Sequence, residues 1–159
     1  AKIISREDGI LAGVRFARDI FYLKGCRVRI IKKDGAKVKP NQTLLQVYGD
    51  AKAVLSCERT VLNLLSRMSG IATQTSLLVS KIRKINRKTK LYSTRKTAPG
   101  LRFFDKEAVA IGGGHKHRMS LNDMVMIKDN HLLVSNSIEN ITKNATMATP
   151  LEKTKKFQM

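Results

Sequence analysis

Residues 91–102 read Leu91-Tyr92-Ser93-Thr94-Arg95-Lys96-Thr97-Ala98-Pro99-Gly100-Leu101-Arg102. A short segment of strand character, Leu91–Ser93, runs into two cations and then a proline–glycine turn. A second stretch, Met124-Val125-Met126-Ile127, is an apolar run of the buried parallel-strand type, and it also ends on a cation, Lys128. Between the two lies Gly112-Gly113-Gly114-His115-Lys116-His117-Arg118. From about residue 70 the order reads helix, strand, loop, strand, helix, strand, which predicts parallel strands with helical crossovers. Each cationic cluster falls at or just past a strand end, where open α/β sheets and barrels gather their functional side chains.

Upstream, the spacing predicts short strands around one helix. Lys2–Ser5 reads as a strand closed by the turn pair Asp8-Gly9. Val14, Ala17, Ile20 and Phe21 follow helical spacing, and Gly25 ends that helix. Arg27–Ile31 alternates as a half-buried strand does, and Asp34-Gly35 turns it. Asn41 after Pro40 suits a turn residue at positive φ, and Leu44, Leu45 and Val47 make the next strand. Ala53, Val54, Cys57, Val61, Leu64 and Leu65 predict a helix over 51–67. Ser69-Gly70 is expected to interrupt it, and a second helix over about 72–88 would turn Leu77, Leu78, Ile82 and Ile85 inward. Ser137 is placed to cap a helix from Ile138 to about Ala145, with Asn140 standing where a capping-box acid would. Phe157-Gln158-Met159 reads as the start of a further strand.

The 31 lysines and arginines outnumber the 12 acids, for a net charge of +19. Such an excess suits nucleic acid, an acidic surface or phosphate-rich substrates. It also arises when one part of a larger protein is counted without its acidic remainder. Residues 81–90 hold six basic residues and no acid. No aromatics are interleaved with them to stack on bases, so a solvated basic face is expected rather than a nucleic-acid site. Cys26 and Cys57 have neither metal spacing nor the pattern of a disulfide framework; two reduced thiols in a cytoplasmic protein are expected. No apolar run reaches the roughly 18 residues of a membrane span, and the start has no signal-peptide pattern.

Each cluster has more than one reading. Arg95 and Lys96 are neighbours on a strand, so they point to opposite faces and serve one ligand only if the chain bends. Otherwise they are two solvated cations. The three glycines would let backbone N–H groups approach an anion, or would simply make a turn. His115 and His117, two apart on a strand, share a face, and His131 lies downstream. The ligand spacing is incomplete for zinc, however, and the surroundings are cationic. Lys128, at the end of a buried strand, needs an anion: a ligand, or Asp123 or Asp129. Arg59 beside Glu58 reads, by itself, as a helix-surface ion pair.

Five segments match one known family in order and spacing: Glu58–Asn63, Ser69–Thr73, Thr94–Arg102, Gly112-Gly113-Gly114 with His117-Arg118, and Lys128–His131. The chain resembles the quinolinate phosphoribosyltransferases (nicotinate-nucleotide pyrophosphorylases, carboxylating) over nearly its whole length. The resemblance implies an α/β fold, with an N-terminal α/β sandwich domain (1–66) followed by part of an incomplete α/β barrel of the type II phosphoribosyltransferase kind (67–159). It implies phosphoribosyl transfer from phosphoribosyl pyrophosphate to quinolinate with decarboxylation, giving nicotinate mononucleotide, CO2 and pyrophosphate, with Mg2+ carrying the pyrophosphate. Arg95, Lys96, His117 and Arg118 would hold the quinolinate carboxylates, and Thr94 would line the same site. Lys128 would sit between the two substrates, and Lys96 and Lys128 would be the catalytic cations. Arg59 would reach into the neighbouring active site of a homodimer or higher oligomer. In the family pattern the acidic residues for ribose and Mg2+, and the glycine-rich phosphate turns, come from later strands than those in this sequence. An alternative expectation is a truncated, non-catalytic relative acting as a basic binding subunit. A half-barrel by itself is expected to leave apolar strand edges open.

Overall fold

The computed structural model describes residues 1–135, 137–147 and 157–158. The chain runs through β1 (Lys2–Ile4), β2 (Gly9–Ile10), α1 (Val14–Leu23), β3 (Arg27–Ile30), β4 (Lys37–Val38) and β5 (Thr43–Tyr48). Three of these strands form an antiparallel sheet in the order β1-β5-β3, with Val28 opposite Val47 and Ile30 opposite Leu45. The central strand contributes Leu44, Leu45 and Val47 to the core because it is covered as well as flanked. All three belong to one apolar core with Val14, Ala17 and Phe21 of α1. The amide that opens α1 is capped from a distance: Val14 N–H donates to Asp34 Oδ1 at 2.9 Å. Asp34-Gly35 therefore does more than turn the chain. Asn41 has the expected positive φ, at 64°.

Next comes α2 (Ala51–Ile85), a single helix of 35 residues, about 52 Å long at 1.5 Å per residue. The expected break at Ser69-Gly70 does not occur. The buried residues are Cys57, Val61, Leu65, Met68, Ala72, Thr75 and Val79. Their steps of three and four make one stripe that passes Gly70 without a phase shift. Gly70 faces open space. Its cost of about 1 kcal/mol relative to alanine is small beside the apolar burial on either side. The stripe also corrects the inward face of the second half. Leu77 and Leu78 are exposed, and Ile85 is almost fully so, because Thr75 and Val79 occupy the buried phase. Asp50 caps the N-terminus through Ala53 N–H, and the helix ends at Asn86, so Arg87, Lys88 and Lys90 lie beyond it.

Ser69 and Thr73 mark where β2 meets α2. Ile10 N–H donates to Thr73 Oγ1 at 2.8 Å, and Ala12 N–H donates to Ser69 Oγ at 3.0 Å. These hydroxyls serve backbone donors that would otherwise need another strand. A side chain at Gly9 would put its Cβ 2.8 Å from Thr73 Oγ1.

Leu91–Ser93, expected as a strand, is reduced to one parallel bridge between Tyr92 and His115. The intervening segment, expected as a loop, contains α3 (Arg102–Ile111). This helix is the crossover of a strand–helix–strand unit and packs Phe104, Ala108 and Ile111 beside Met68 and Ala72 of α2. Residues Ala1–His117 form one compact unit, and a second begins at Arg118. In the second, β6 (Val125–Met126) pairs in parallel with β7 (Phe157–Gln158), with α4 (Asp129–Ser135) and α5 (Ile138–Met147) between them in the chain. Asn140 N–H donates to Ser137 Oγ at 3.4 Å, so α5 is capped as expected. Met159 lies outside the described residues.

Candidate active site

Two backbone hydrogen bonds fix the strand end that carries Thr94–Lys96: His115 N–H to Leu91 O at 2.8 Å, and Ser93 N–H to His115 O at 2.9 Å. The chain then bends. Lys96 N–H donates to Thr94 Oγ1 at 3.1 Å, so the bend that Arg95 and Lys96 need is made by Thr94, ahead of the Pro99-Gly100 turn. Thr94 and Lys96 are exposed and Arg95 is half-buried. Arg95 Nε is buried with no hydrogen-bond acceptor. A desolvated guanidinium N–H without an acceptor costs free energy that a carboxylate at that position would offset.

The far side of the bend is braced from α3. Ala98 N–H donates to Asp105 Oδ2 at 3.3 Å. Asp105 also receives two parallel bonds from Arg67 of α2, Nε to Oδ1 at 2.7 Å and Nη2 to Oδ2 at 2.9 Å. These bonds hold the Asp105 carboxyl below its usual range; the Ala98 N–H and the Arg67 charge add to the effect, and burial opposes it. The same pair of bonds raises Arg67 above its ordinary value.

Lys106, the next residue, is 1% exposed. Its Nζ donates to Ser93 Oγ at 3.0 Å and to the Lys116 carbonyl, and Ser93 Oγ itself donates to that carbonyl at 2.5 Å. Glu107 takes Lys116 and Arg15 as partners on the opposite side. Lys116, in the middle of the histidine cluster, is thus engaged by a carboxylate. None of Arg67, Asp105 and Lys106 stood out in the sequence. The signal that was available is an Asp-Lys pair set inside the helical spacing of Phe104, Ala108 and Ile111.

The glycine run has a packing role. Gly112, Gly113 and Gly114 N–H groups donate to Ala108, Ala110 and Val109 carbonyls. These three amides are committed to ending α3, so of the two readings the turn is the one the structure forms. A Cβ on Gly112 would stand 2.4 Å from Ala72 O, and one on Gly114 would stand 2.8 Å from a Val109 methyl. Only glycine lets the end of α3 lie this close to α2.

His117 adopts positive φ, 54°, and its ring meets Tyr92 edge-on at 6.0 Å. His115 flanks the same tyrosine at 5.1 Å. In the second unit, Arg118 donates to Met124 O at 3.2 Å and lies 3.5 Å from the Met126 sulfur. Lys128 is exposed, and its backbone N–H donates to His131 Nδ1 at 3.0 Å. His131 therefore closes the first turn of α4, as the third residue of a capping box does. Arg59 is exposed on α2, away from the buried stripe, and engages no partner among the described residues, so the expected Glu58–Arg59 pair is not formed. The first unit thus gathers Thr94, Arg95, Lys96 and His117 at two adjacent strand ends, and the second carries Arg118 and Lys128. Among the described residues, no three His, Cys, Asp or Glu side chains are grouped to hold a metal ion. No helix among them is long and apolar enough to cross a membrane. Cys26 and Cys57 are buried free thiols.

An α/β sandwich followed by part of an α/β barrel defines the class of the protein as α/β. Residues 1–69 match the N-terminal domain of quinolinate phosphoribosyl transferase, and residues 71–157 match its C-terminal domain. The chain belongs to the quinolinate phosphoribosyl transferase family. It is 45% identical over 143 residues to a probable nicotinate-nucleotide pyrophosphorylase (carboxylating) of Archaeoglobus fulgidus, covering 90% of this chain and 55% of that protein. Against the nicotinate-nucleotide pyrophosphorylase (carboxylating) of Mycobacterium leprae it is 41% identical, covering 93% and 53%. The crystal structure of NadC from Streptococcus pyogenes superposes with a TM-score of 0.88 at 33% identity, covering 99% of this chain and 57% of that one. The chain spans about half the length of the curated relatives it matches.

Proposed function

We propose that this chain supplies the dicarboxylate-binding half of an enzyme that transfers phosphoribose from phosphoribosyl pyrophosphate to quinolinate. The products would be nicotinate mononucleotide, CO2 and pyrophosphate, a step of NAD biosynthesis. The observation that carries the reading is Arg95 Nε, buried without an acceptor, on a bend that also presents Thr94 and Lys96. A pyridine with two carboxylates offers acceptors to such a set, and the family membership supports the same substrate.

Arg95, Lys96, His117 and Arg118 hold the two carboxylates, with Thr94 lining the site. Lys128 would sit between quinolinate and the phosphoribosyl donor. Fixed cations orient the ring nitrogen toward the ribose C1 and stabilise the charge that builds on departing pyrophosphate. The 2-carboxylate then leaves as CO2, and the electron pair left on ring C2, stabilised by the adjacent cationic ring nitrogen and by Lys96 and Lys128, takes a proton from water. The described residues do not fit a Mg2+ site by themselves, since no three His, Cys, Asp or Glu side chains are grouped among them. Mg2+ belongs with the pyrophosphate of the donor. Arg59 serves a neighbouring active site in a homodimer. Its exposed place on α2 supports this, as does Leu55, one turn earlier on the same face and 65% exposed. Two buried free thiols are in keeping with a cytoplasmic setting.

The test is a calorimetric titration of the full-length protein with quinolinate and with nicotinate, followed by chromatographic detection of nicotinate mononucleotide. Tighter binding of quinolinate and appearance of the mononucleotide are expected. No preference for the dicarboxylate would overturn the reading, and would leave a basic binding subunit in its place.

A further inference from the structure

We infer that Lys106 and Asp105 are positioning residues for the dicarboxylate clamp, which they hold from beneath at both ends. This rests on the proposed function for its ligand, but its geometry lies wholly within the first unit. Adjacent residues of α3 take the two ends of one loop. Lys106 Nζ joins Ser93 Oγ to the Lys116 carbonyl, so it ties the residue before Thr94 to the residue before His117. Asp105 Oδ2 receives Ala98 N–H, two residues past Lys96. Arg67 in turn fixes the Asp105 carboxylate with two bonds. Thr94, Arg95 and Lys96 therefore hang between two anchors, and His117 follows from the first.

The need for a lysine at 106 is chemical. Among the described residues, Tyr92 and His115 are joined by a single bridge, so the ladder gives Ser93 and Lys116 little hold on each other beyond that point. A buried ammonium with several donors replaces the missing rungs. Burying it is costly unless its hydrogen bonds are made, which favours the one arrangement that makes them. Its charge also lies under a site that must take an anion, where it acts through position rather than contact.

The test uses the full-length protein with Lys106→Met, of similar size, and Lys106→Arg. Ser93→Ala removes the hydroxyl without burying a new group, so it carries the test if Lys106→Met does not fold. Two readouts are taken: amide hydrogen exchange of residues 94–98 without ligand, and the ratio of quinolinate to nicotinate affinity. Faster exchange confined to 94–98 and 115–117 is expected in both Lys106→Met and Ser93→Ala. A drop in the quinolinate preference of about 10- to 100-fold is expected for Lys106→Met, the scale of a misplacement near 1 Å. Ser93→Ala should lose less, and Lys106→Arg should recover part of the preference. Unchanged exchange over 94–98 in a folded Lys106→Met protein would overturn the inference, whether or not the wild type binds quinolinate. A wild type with protected amides but no quinolinate preference would support the brace and sink the substrate reading instead.

Discussion

The β1-β5-β3 sheet and the α3 layer are both packed against long or medium helices, yet they are built from opposite materials. Beneath the sheet, every buried residue is apolar: Leu45 is fully buried, beside Val14, Phe21 and Val47. Beneath the clamp loop, two charged residues in a row, Asp105 and Lys106, are buried. Apolar burial supplies stability without direction. Buried charge supplies direction, because it is tolerable only when its partners sit at set distances. The sheet thus behaves as a foundation and the α3 layer as a jig.

The contrast can be broken most strongly from the apolar side. Leu45→Ala should cost about 3 kcal/mol, as large-to-small changes at sealed core positions do. Urea denaturation would read this, and the acid limb of the stability curve should keep its shape. Arg67→Met should cost less, about 2 kcal/mol, since it strands a buried carboxylate while the arginine itself is partly solvated. Here the pH profile must change. The Asp105 carboxyl sits lower in the folded state than its unfolded value of about 3.9. Its contribution is therefore fully present above that value and is lost as pH falls through the folded one. Arg67→Met removes the main cause of the lowering, so its stability should fall less steeply on acidification than that of the wild type. Parallel acid limbs for the two proteins would mean that the pair is not the jig's anchor.

The same contrast explains what the sequence could tell. α1, β3 and β5 were readable nearly to the residue because apolar side chains alone keep their period. α3 is harder to read: Phe104, Ala108 and Ile111 keep helical spacing, but Asp105 and Lys106 are buried as well and dilute the apolar face that announces a helix. At Ser69-Gly70, where a break is expected, the local cost of a glycine is outweighed by a buried stripe that continues from Cys57 to Val79. The cationic residues of the site were legible as types and spacing, and Thr94, Arg95 and His117 do stand at adjacent strand ends. Their supports were not legible, since a hydrogen bond from Lys106 to the Lys116 carbonyl leaves no trace in spacing.

Gly112→Ala sharpens the comparison at an intermediate size. The backbone there has φ −73°, which alanine adopts freely, so any penalty is steric. A new Cβ would meet a backbone oxygen, Ala72 O, which cannot swing aside. A loss of about 1–2 kcal/mol is expected, at the low end of overpacking if α3 tilts away from α2. Such a tilt would carry Asp105 and Lys106 with it, so quinolinate affinity should fall along with the melting temperature. At Gly25 the surroundings are open and only the positive φ opposes a side chain. Gly25→Ala should then cost stability, by about 1 kcal/mol, with no effect on affinity.

The smallest effect probes the seam between the two layers. Thr73→Val keeps the shape of the side chain but removes the oxygen that accepts Ile10 N–H at 2.8 Å and donates to Ser69 O at 2.7 Å. The Ile10 amide would be left partly buried without an acceptor, a loss of about 1 kcal/mol. The Ser69 carbonyl would keep its place in the α2 ladder, so the helix itself should not fray. Hydrogen exchange distinguishes the two consequences. Faster exchange at Ile10 with unchanged protection around residue 70 is expected if the Ser69–Thr73 segment works as a side-chain edge for β2. Loss of protection across residues 69–73 would show instead that these hydroxyls hold the long helix together at its glycine, and the continuous apolar stripe would no longer account for its length.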